Sequence, residues 1–294
     1  MELGVSAPER RGEVKLSDGR ALGYAEWGPR DGTPVLFFSG AAMGSRLGFG
    51  THLLDEARVR LIAVDRPGLG ASDPRPDRTL ADWPSDVAAL TRALELPPFG
   101  VVGFSQGAPF ALACAAAGLP GAVAVVSGQD DLRHPGFAGA LASDVAGMLD
   151  AVTADQAAFE TSFAQSAGPE LLWKIAIDAS SPVDQAVYRD EAFAAAYRES
   201  LEEGFRQGAA GYARDLALAL SPWPFTVESI SVPVDLWYGG HDVSIVHSPD
   251  HGATMTTRIP GARRHLLSEA GGSLLWTHAG EILRTLLSRL SGGR

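Results

Sequence analysis

Cysteine, basic residues and long apolar runs are all scarce in this chain. The 294 residues include a single cysteine, Cys114, so an internal disulfide and a cysteine-rich metal site are excluded. Only 24 lysines and arginines stand against 35 aspartates and glutamates, giving a formal net charge of -11. Such an acidic surface repels phosphate backbones and anionic lipids. No apolar run approaches the roughly 20 residues that a membrane span requires. We therefore expect a protein that binds neither nucleic acid nor membrane and holds no metal.

The N-terminal segment and the overall composition narrow the class further. Residues 1–14 are polar and lack the apolar core of a signal peptide, which favours a cytoplasmic location. Hydrophobic residues make up 46% of the chain and charged residues 20%, as is usual for a globular protein. The expected partner is a small-molecule substrate. No pattern indicates a cofactor, and none sets the oligomeric state.

Short apolar runs that alternate with helical patterns predict an α/β protein, with a mostly parallel sheet of about eight strands flanked by helices. The turn signal Asp18-Gly19 separates an opening pair of strands, Val14–Leu16 and Ala21–Trp27. The later strands are predicted at Val35–Ser39, Val59–Asp65, Gly100–Phe104, Ala122–Ser127 and Val234–Tyr238, with a weaker candidate at Arg264–Leu267. Helices are predicted at Asp82–Leu94, Gln106–Ala117 and Leu274–Leu290.

One long segment breaks this alternation. From Asp130 to Ser221 no strand pattern is present, and Val145, Met148 and Val152 recur at helical spacing. We predict a helical lid at residues 130–221, inserted into a core formed by residues 1–129 and 222–294. Six aromatic residues in this segment are either pocket lining or lid core: Phe159, Phe163, Trp173, Phe193, Tyr197 and Phe205.

The sequence Gly103-Phe104-Ser105-Gln106-Gly107 matches the G-x-S-x-G pattern of a nucleophile elbow. A predicted strand precedes it and a predicted helix follows, which is the context that the motif demands. A serine on this sharp turn presents its hydroxyl above the sheet edge, next to the free N–H groups of a helix N-terminus. We therefore predict that Ser105 is a catalytic nucleophile.

Three further motifs, taken with the elbow, give a family resemblance. They are Val35-Leu36-Phe37-Phe38-Ser39-Gly40, Asp65-Arg66-Pro67-Gly68-Leu69-Gly70-Ala71-Ser72-Asp73 and Trp237-Tyr238-Gly239-Gly240-His241-Asp242. With them the chain resembles the α/β-hydrolase fold family over nearly its whole length. The resemblance implies that Asp242 is the acid of a catalytic triad. It also implies that the backbone N–H groups of Ala41 and Gln106 form the oxyanion hole.

The sequence departs from this family at the base of the triad. The resemblance implies a histidine in the loop after the last strand, but Gly272, or Gly271 under a one-residue shift, stands there. A serine hydroxyl is a weak nucleophile without an adjacent base. His278 is the first candidate to replace it. The alternatives are His241, beside the acid, and Glu269, beside the gap. His247 and His251 are expected to be exposed loop residues.

Three functions stay open on this evidence. The first is a serine hydrolase that cleaves a small apolar ester, lactone or amide through Ser105. The second is a non-hydrolytic enzyme, such as a lyase, cyclase or epimerase, on the same fold. The third is a ligand-binding protein that has lost turnover. Nothing in the sequence identifies the substrate.

Overall fold

A computed structural model describes residues 2–292 and shows one eight-stranded sheet. The strands are β1 (Arg10–Lys15), β2 (Ala21–Trp27), β3 (Thr33–Phe38), β4 (Val59–Val64), β5 (Gly100–Phe104), β6 (Ala122–Val126), β7 (Val234–Gly239) and β8 (Arg263–Leu267). Their order across the sheet is β1-β2-β4-β3-β5-β6-β7-β8. Strand β2 pairs antiparallel with β1 and β4, and the other neighbouring pairs are parallel. The predicted α/β architecture is confirmed.

Helices cover both faces of this sheet. The core helices are α1 (Trp83–Ala93), α2 (Gly107–Ala116), α9 (Ala253–Arg258), α10 (Leu274–Thr277) and α11 (Ala279–Gly292). Successive residues of a strand point to opposite faces. Phe37 accordingly packs in the same cluster as Ile282 of α11, whereas Phe38 packs in the cluster that contains Phe110 of α2. The central strands are therefore buried on both sides, in agreement with the predicted sheet flanked by helices.

Six helices lie between β6 and β7 in the described part of the chain. They are α3 (Ser143–Ala154), α4 (Gln156–Ser166), α5 (Pro169–Asp178), α6 (Pro182–Tyr188), α7 (Glu191–Gly204) and α8 (Ala210–Leu220). Polar side chains cap several of their first turns, since the Asp155 and Asp190 carboxylates each accept a bond from a backbone N–H three residues on. We call residues 130–221 the helical insertion; their action as a lid stays a prediction.

Two elements differ from the sequence-based expectation. The first strand begins at Arg10, well before the predicted Val14, because it is a polar edge strand whose Arg10 pairs with Glu26 of β2. An apolar pattern cannot reveal such a strand. The predicted final helix is divided in two at His278, whose φ of −126° is not helical. No helix within residues 2–292 is both long enough and apolar enough to cross a membrane.

Candidate active site

Ser105 occupies a sharp turn between β5 and α2. Its φ of +50° lies in the left-handed region, which costs a non-glycine residue about 1–3 kcal/mol and is typical of functional sites. The flanking glycines allow neighbouring segments to approach. A Cβ at Gly107 would lie 2.0 Å from the Phe38 carbonyl oxygen, and one at Gly103 would lie 2.7 Å from the Ala111 Cβ. The turn therefore needs both glycines.

Two backbone N–H groups beside Ser105 are free to bind an anion. Gln106 follows the serine at the N-terminus of α2. Ala41 lies in the loop after β3 and, with Ser105, lines a cavity described below. Neither N–H donates to an acceptor within residues 2–292. Preorganised donors of this kind stabilise negative charge that develops on a substrate oxygen.

A buried arginine fixes the loop that carries Ala41. The Arg66 guanidinium donates to the carbonyl oxygens of Ser39 and Gly40 at 2.6 and 2.9 Å. Its Nε donates to Asp215 of α8 at 2.6 Å, and both side chains are fully buried. Arg78 also pairs with Asp215. Two cations therefore share one anion, and the helical insertion is connected through Arg66 to the loop of the proposed oxyanion hole.

Asp242 and His247 lie on the loop that follows β7. The His247 Nδ1 is 2.7 Å from Asp242 Oδ2, and its Nε2 is 2.9 Å from the Ser105 Oγ. With the imidazole hydrogen on Nδ1, the ring donates to the carboxylate and accepts from the serine hydroxyl. Serine, histidine and aspartate therefore form a hydrogen-bonded series with the geometry of a catalytic triad.

The environment of Asp242 keeps it ionised. Burial opposes its ionisation, but the charge and hydrogen bond of His247 and the N–H of Ser244, at 3.1 Å, outweigh that effect. The pKa of Asp242 therefore lies below its ordinary value. A carboxylate of this kind orients the imidazole and stabilises the imidazolium.

The loop bearing His247 is held by the residue that follows it. The Ser248 N–H donates to the Gly128 carbonyl at 3.0 Å, and its hydroxyl donates to Asp130 at 2.8 Å. The Ser248 hydroxyl also accepts from the Gly252 N–H at 2.8 Å. Burial raises the pKa of Asp130 to about 6. The imidazole position thus depends on contacts with the end of β6, far away in sequence.

The glycine pair after β8 lies beside both carboxylates of the site. A Cβ at Gly272 would come within 2.9 Å of Asp242 Oδ1, and one at Gly271 within 2.3 Å of Asp184 Oδ1. Asp184 belongs to α6 and accepts hydrogen bonds from the N–H groups of Gly272 and Ser273 at 3.0 and 2.7 Å. A carboxylate of the helical insertion therefore binds the backbone where the resemblance implied a histidine.

These groups surround a cavity of about 120 Å³. Its walls include Leu172 and Ile175 of α5, the buried ring of Tyr188 and the partly buried ring of Tyr197. Burial raises the pKa of Tyr197 to about 12, and burial together with nearby Tyr197 and the carboxylates raises the pKa of Tyr188 well above its ordinary value. Both phenols are therefore neutral, and the cavity is mostly apolar around one polar cluster.

A family model described as alpha/beta hydrolase fold matches residues 33–279. The chain belongs to the α/β-hydrolase fold family. A non-heme chloroperoxidase of Streptomyces lividans is 38% identical over 120 residues, which are 38% of this chain and 42% of that protein. A proline iminopeptidase of Arabidopsis thaliana is 31% identical over 109 residues, which are 36% of this chain and 29% of that protein. The chain thus matches less than half the length of either relative.

Solved structures agree with this fold over nearly the whole chain. A bromoperoxidase from Bacillus anthracis has a TM-score of 0.70 at 20% identity and covers 96% of this chain and 100% of its own. An enol-lactonase from Burkholderia xenovorans has a TM-score of 0.69 at 18% identity and covers 95% of this chain and 100% of its own. At such identities the likeness establishes the α/β-hydrolase fold only.

The α/β-hydrolase fold brings four of the predicted site residues together. Ser105, Asp242 and Ala41 line one cavity, and the Gln106 N–H follows directly on Ser105. Their catalytic roles stay predictions. The fold does not bring His278 to this cavity: it lies between α10 and α11, and its Nδ1 contacts the Thr277 hydroxyl at 2.8 Å.

The residue in hydrogen-bond reach of Ser105 is one that sequence reasoning treated as exposed. His247 is only 9% exposed, so that expectation was wrong. The other two candidates, His241 and Glu269, are exposed and do not line the cavity. The sequence did contain a signal for this contact, because His247 follows Asp242 by only five residues. A tight loop between them can bring the imidazole to the carboxylate.

Proposed function

We propose that this α/β-hydrolase-fold protein is a serine hydrolase that acts on a small apolar ester, lactone or amide, with His247 as its base. The observation that carries the proposal is the pair of contacts at 2.9 and 2.7 Å that connect the Ser105 hydroxyl to His247 and His247 to Asp242. A nucleophile, a base and an orienting acid in this order are the parts that acyl transfer requires.

In the proposed reaction the Ser105 Oγ attacks the substrate carbonyl carbon. His247 Nε2 takes the hydroxyl proton, and Asp242 stabilises the imidazolium that results. The N–H groups of Ala41 and Gln106 bind the oxyanion. When the tetrahedral intermediate collapses, the C–O or C–N bond breaks and His247 returns its proton to the leaving group. Water then attacks the acyl-enzyme with the same histidine as base, which releases the acid and restores the serine.

Two observations support ester or lactone substrates within this class. The cavity walls are mainly aliphatic and aromatic, so they suit an uncharged acyl or alcohol group. Among the similar solved structures are an esterase and an enol-lactonase, whose names agree with such a substrate. The two other functions considered from sequence depended on a missing base, and a histidine within 2.9 Å of Ser105 removes the reason to prefer them.

The proposal is tested with a fluorophosphonate probe and p-nitrophenyl butyrate. We expect the native protein to be labelled at Ser105 and to release p-nitrophenol, and Ser105→Ala to lose both reactions. Ser127→Ala is the matched control, because Ser127 is a buried serine on the neighbouring strand end and does not line the cavity. A native protein that is neither labelled nor active on short esters, lactones or anilides would contradict the proposal.

A further inference from the structure

The enclosed part of the site is small. Cavities that bury a drug-sized ligand usually measure about 300–1,000 Å³, whereas this one measures about 120 Å³. Tyr188 is buried, Tyr197 is partly buried, and both line the cavity on the side of the helical insertion. The cavity therefore has room for a short group beside Ser105, and a longer substrate must extend beyond its mouth.

Large apolar side chains lie at that mouth and remain in contact with solvent. Ile175 of α5 and Val243 of the β7 loop both line the cavity, yet they are 50% and 56% exposed. Each side chain therefore extends from the cavity wall to the outer surface. Most large apolar residues of the described chain are buried, so half-exposed ones that also line a cavity require an explanation.

The neighbouring exposed apolar residues continue this surface. Six large hydrophobic side chains are strongly exposed in residues 2–292. Besides Ile175 and Val243 they include Leu171, one turn before Ile175 on α5, and Ile245, two residues after Val243. Val183 is next to the cavity residue Asp184. Of these six residues, only Leu266 of β8 neither lines the cavity nor stands next to a cavity residue in the sequence.

We propose that Ile175 and Val243 form an apolar rim that binds the part of the substrate too long for the cavity. The inference rests on the proposed function and specifies its substrate class: an ester with one short group and one extended apolar group, such as an alkyl chain. Burying a chain against half-exposed aliphatic side chains removes apolar surface from water on both sides, so the rim favours longer substrates. Its continuity with the cavity that contains Ser105 identifies the occupant as substrate.

The test measures kcat/KM on two ester series. One series keeps p-nitrophenol and lengthens the acyl group from acetyl to octanoyl, and the other keeps acetate and lengthens the alcohol from methyl to octyl. We expect Ile175→Ser and Val243→Ser each to lower kcat/KM for the long members of one series about five-fold. The shortest esters should be affected less, so the ratio of kcat/KM for the longest ester to that for the shortest should fall about five-fold. Ile175→Phe, which enlarges the rim, should raise the preference for long chains.

Leu266→Ser is the matched control, because Leu266 is 45% exposed but does not line the cavity. Unchanged chain-length preference in both rim variants, or an equal change in the control, would overturn the proposal. A change of oligomeric state in the rim variants with constant chain-length preference would overturn it too, and would assign the surface to a second copy of the chain. A native protein that is active on lactones or anilides but on no ester would overturn the rim proposal alone, whereas one inactive on all three classes would refute the proposed function.

Discussion

The loops that follow β7 and β8 lie side by side, yet they contribute differently to the site. The first carries both the acid, Asp242, and the histidine that reaches Ser105. The second carries Gly271 and Gly272 and is bound by Asp184 of the helical insertion. The two loops are also joined directly, since the His241 N–H donates to the Ala270 carbonyl at 2.9 Å. The difference teaches that a base need not keep its position in the chain when another loop can present an imidazole to the same two partners.

The largest expected effect distinguishes His247, on the β7 loop, from His278, beyond the β8 loop. We expect His247→Ala to lower kcat for p-nitrophenyl butyrate by about 10⁴- to 10⁶-fold, because the serine loses its proton acceptor. His278→Ala should retain nearly full activity, since His278 contacts Thr277 and not the cavity. Steady-state kinetics with active-site titration check both. Equal losses in the two variants, or a fully active His247→Ala, would contradict the assignment of the base.

The second test concerns what holds the β8 loop in place. Asp184→Ala leaves the Gly272 and Ser273 N–H groups without their acceptor and removes the partner of the Ser181 hydroxyl. Hydrogen bonds to charged groups contribute about 1.5–3 kcal/mol each, so we expect the free energy of unfolding to fall by about 3 kcal/mol. Urea denaturation measures it.

Asp190→Ala is the matched control for this test. Asp190 caps α7 through a single backbone N–H and does not contact the β8 loop. Its loss should cost about 1 kcal/mol. If the two variants were destabilised equally, Asp184 would be only another helix cap of the insertion.

Sequence patterns captured most of this fold, for a physical reason. The strands β3, β5 and β6 are buried on both faces, so each leaves a continuous apolar run that can be recognised without knowledge of its neighbours. The first part of β1, from Arg10 to Glu13, was missed because an exposed edge strand is stabilised by pairing and by ion pairs such as Arg10 with Glu26. Local apolar patterning carries no record of such contacts.

The candidate site was predictable only where its geometry is local. Ser105 and Gln106 follow from a strand, a turn and a helix that are adjacent in the chain. The orientation of His247 follows from Ser248, which is bound to Gly128 and Asp130 over a hundred residues away. A sequence gives no direct measure of such a contact, so the position of the imidazole became visible only in three dimensions.

The third test adds a side chain at Gly272, in the loop after β8. Gly272→Ala places a Cβ within 2.9 Å of Asp242 Oδ1, so the carboxylate must shift from the position in which it contacts His247 and Ser244. We expect kcat to fall about 10- to 100-fold, because a small displacement of catalytic groups has effects of this size. Gly147→Ala in α3, where a Cβ meets no atom within 4 Å, should leave kcat unchanged. An equally active Gly272→Ala would mean that the glycine is not needed beside the acid.

The smallest expected effect concerns the anchor of the β7 loop and depends on pH. The pKa of Asp130 is raised to about 6 by burial, above its value in the unfolded chain. Between roughly pH 4 and 6 the folded state therefore retains a proton that the unfolded state has lost, and stability falls as pH rises through this range. Asn has no such proton, so Asp130→Asn should gain about 1.4 kcal/mol of unfolding free energy relative to the native protein between pH 5 and pH 8. Urea midpoints at both pH values check this. The pKa of Asp65 is also raised to about 6, but its titration cancels in the difference between variant and native protein. Parallel curves of unfolding free energy against pH for the two proteins would contradict the prediction. They would show that Asp130 is already ionised in the folded state at pH 5, so that a carboxylate anchors the β7 loop over the whole range.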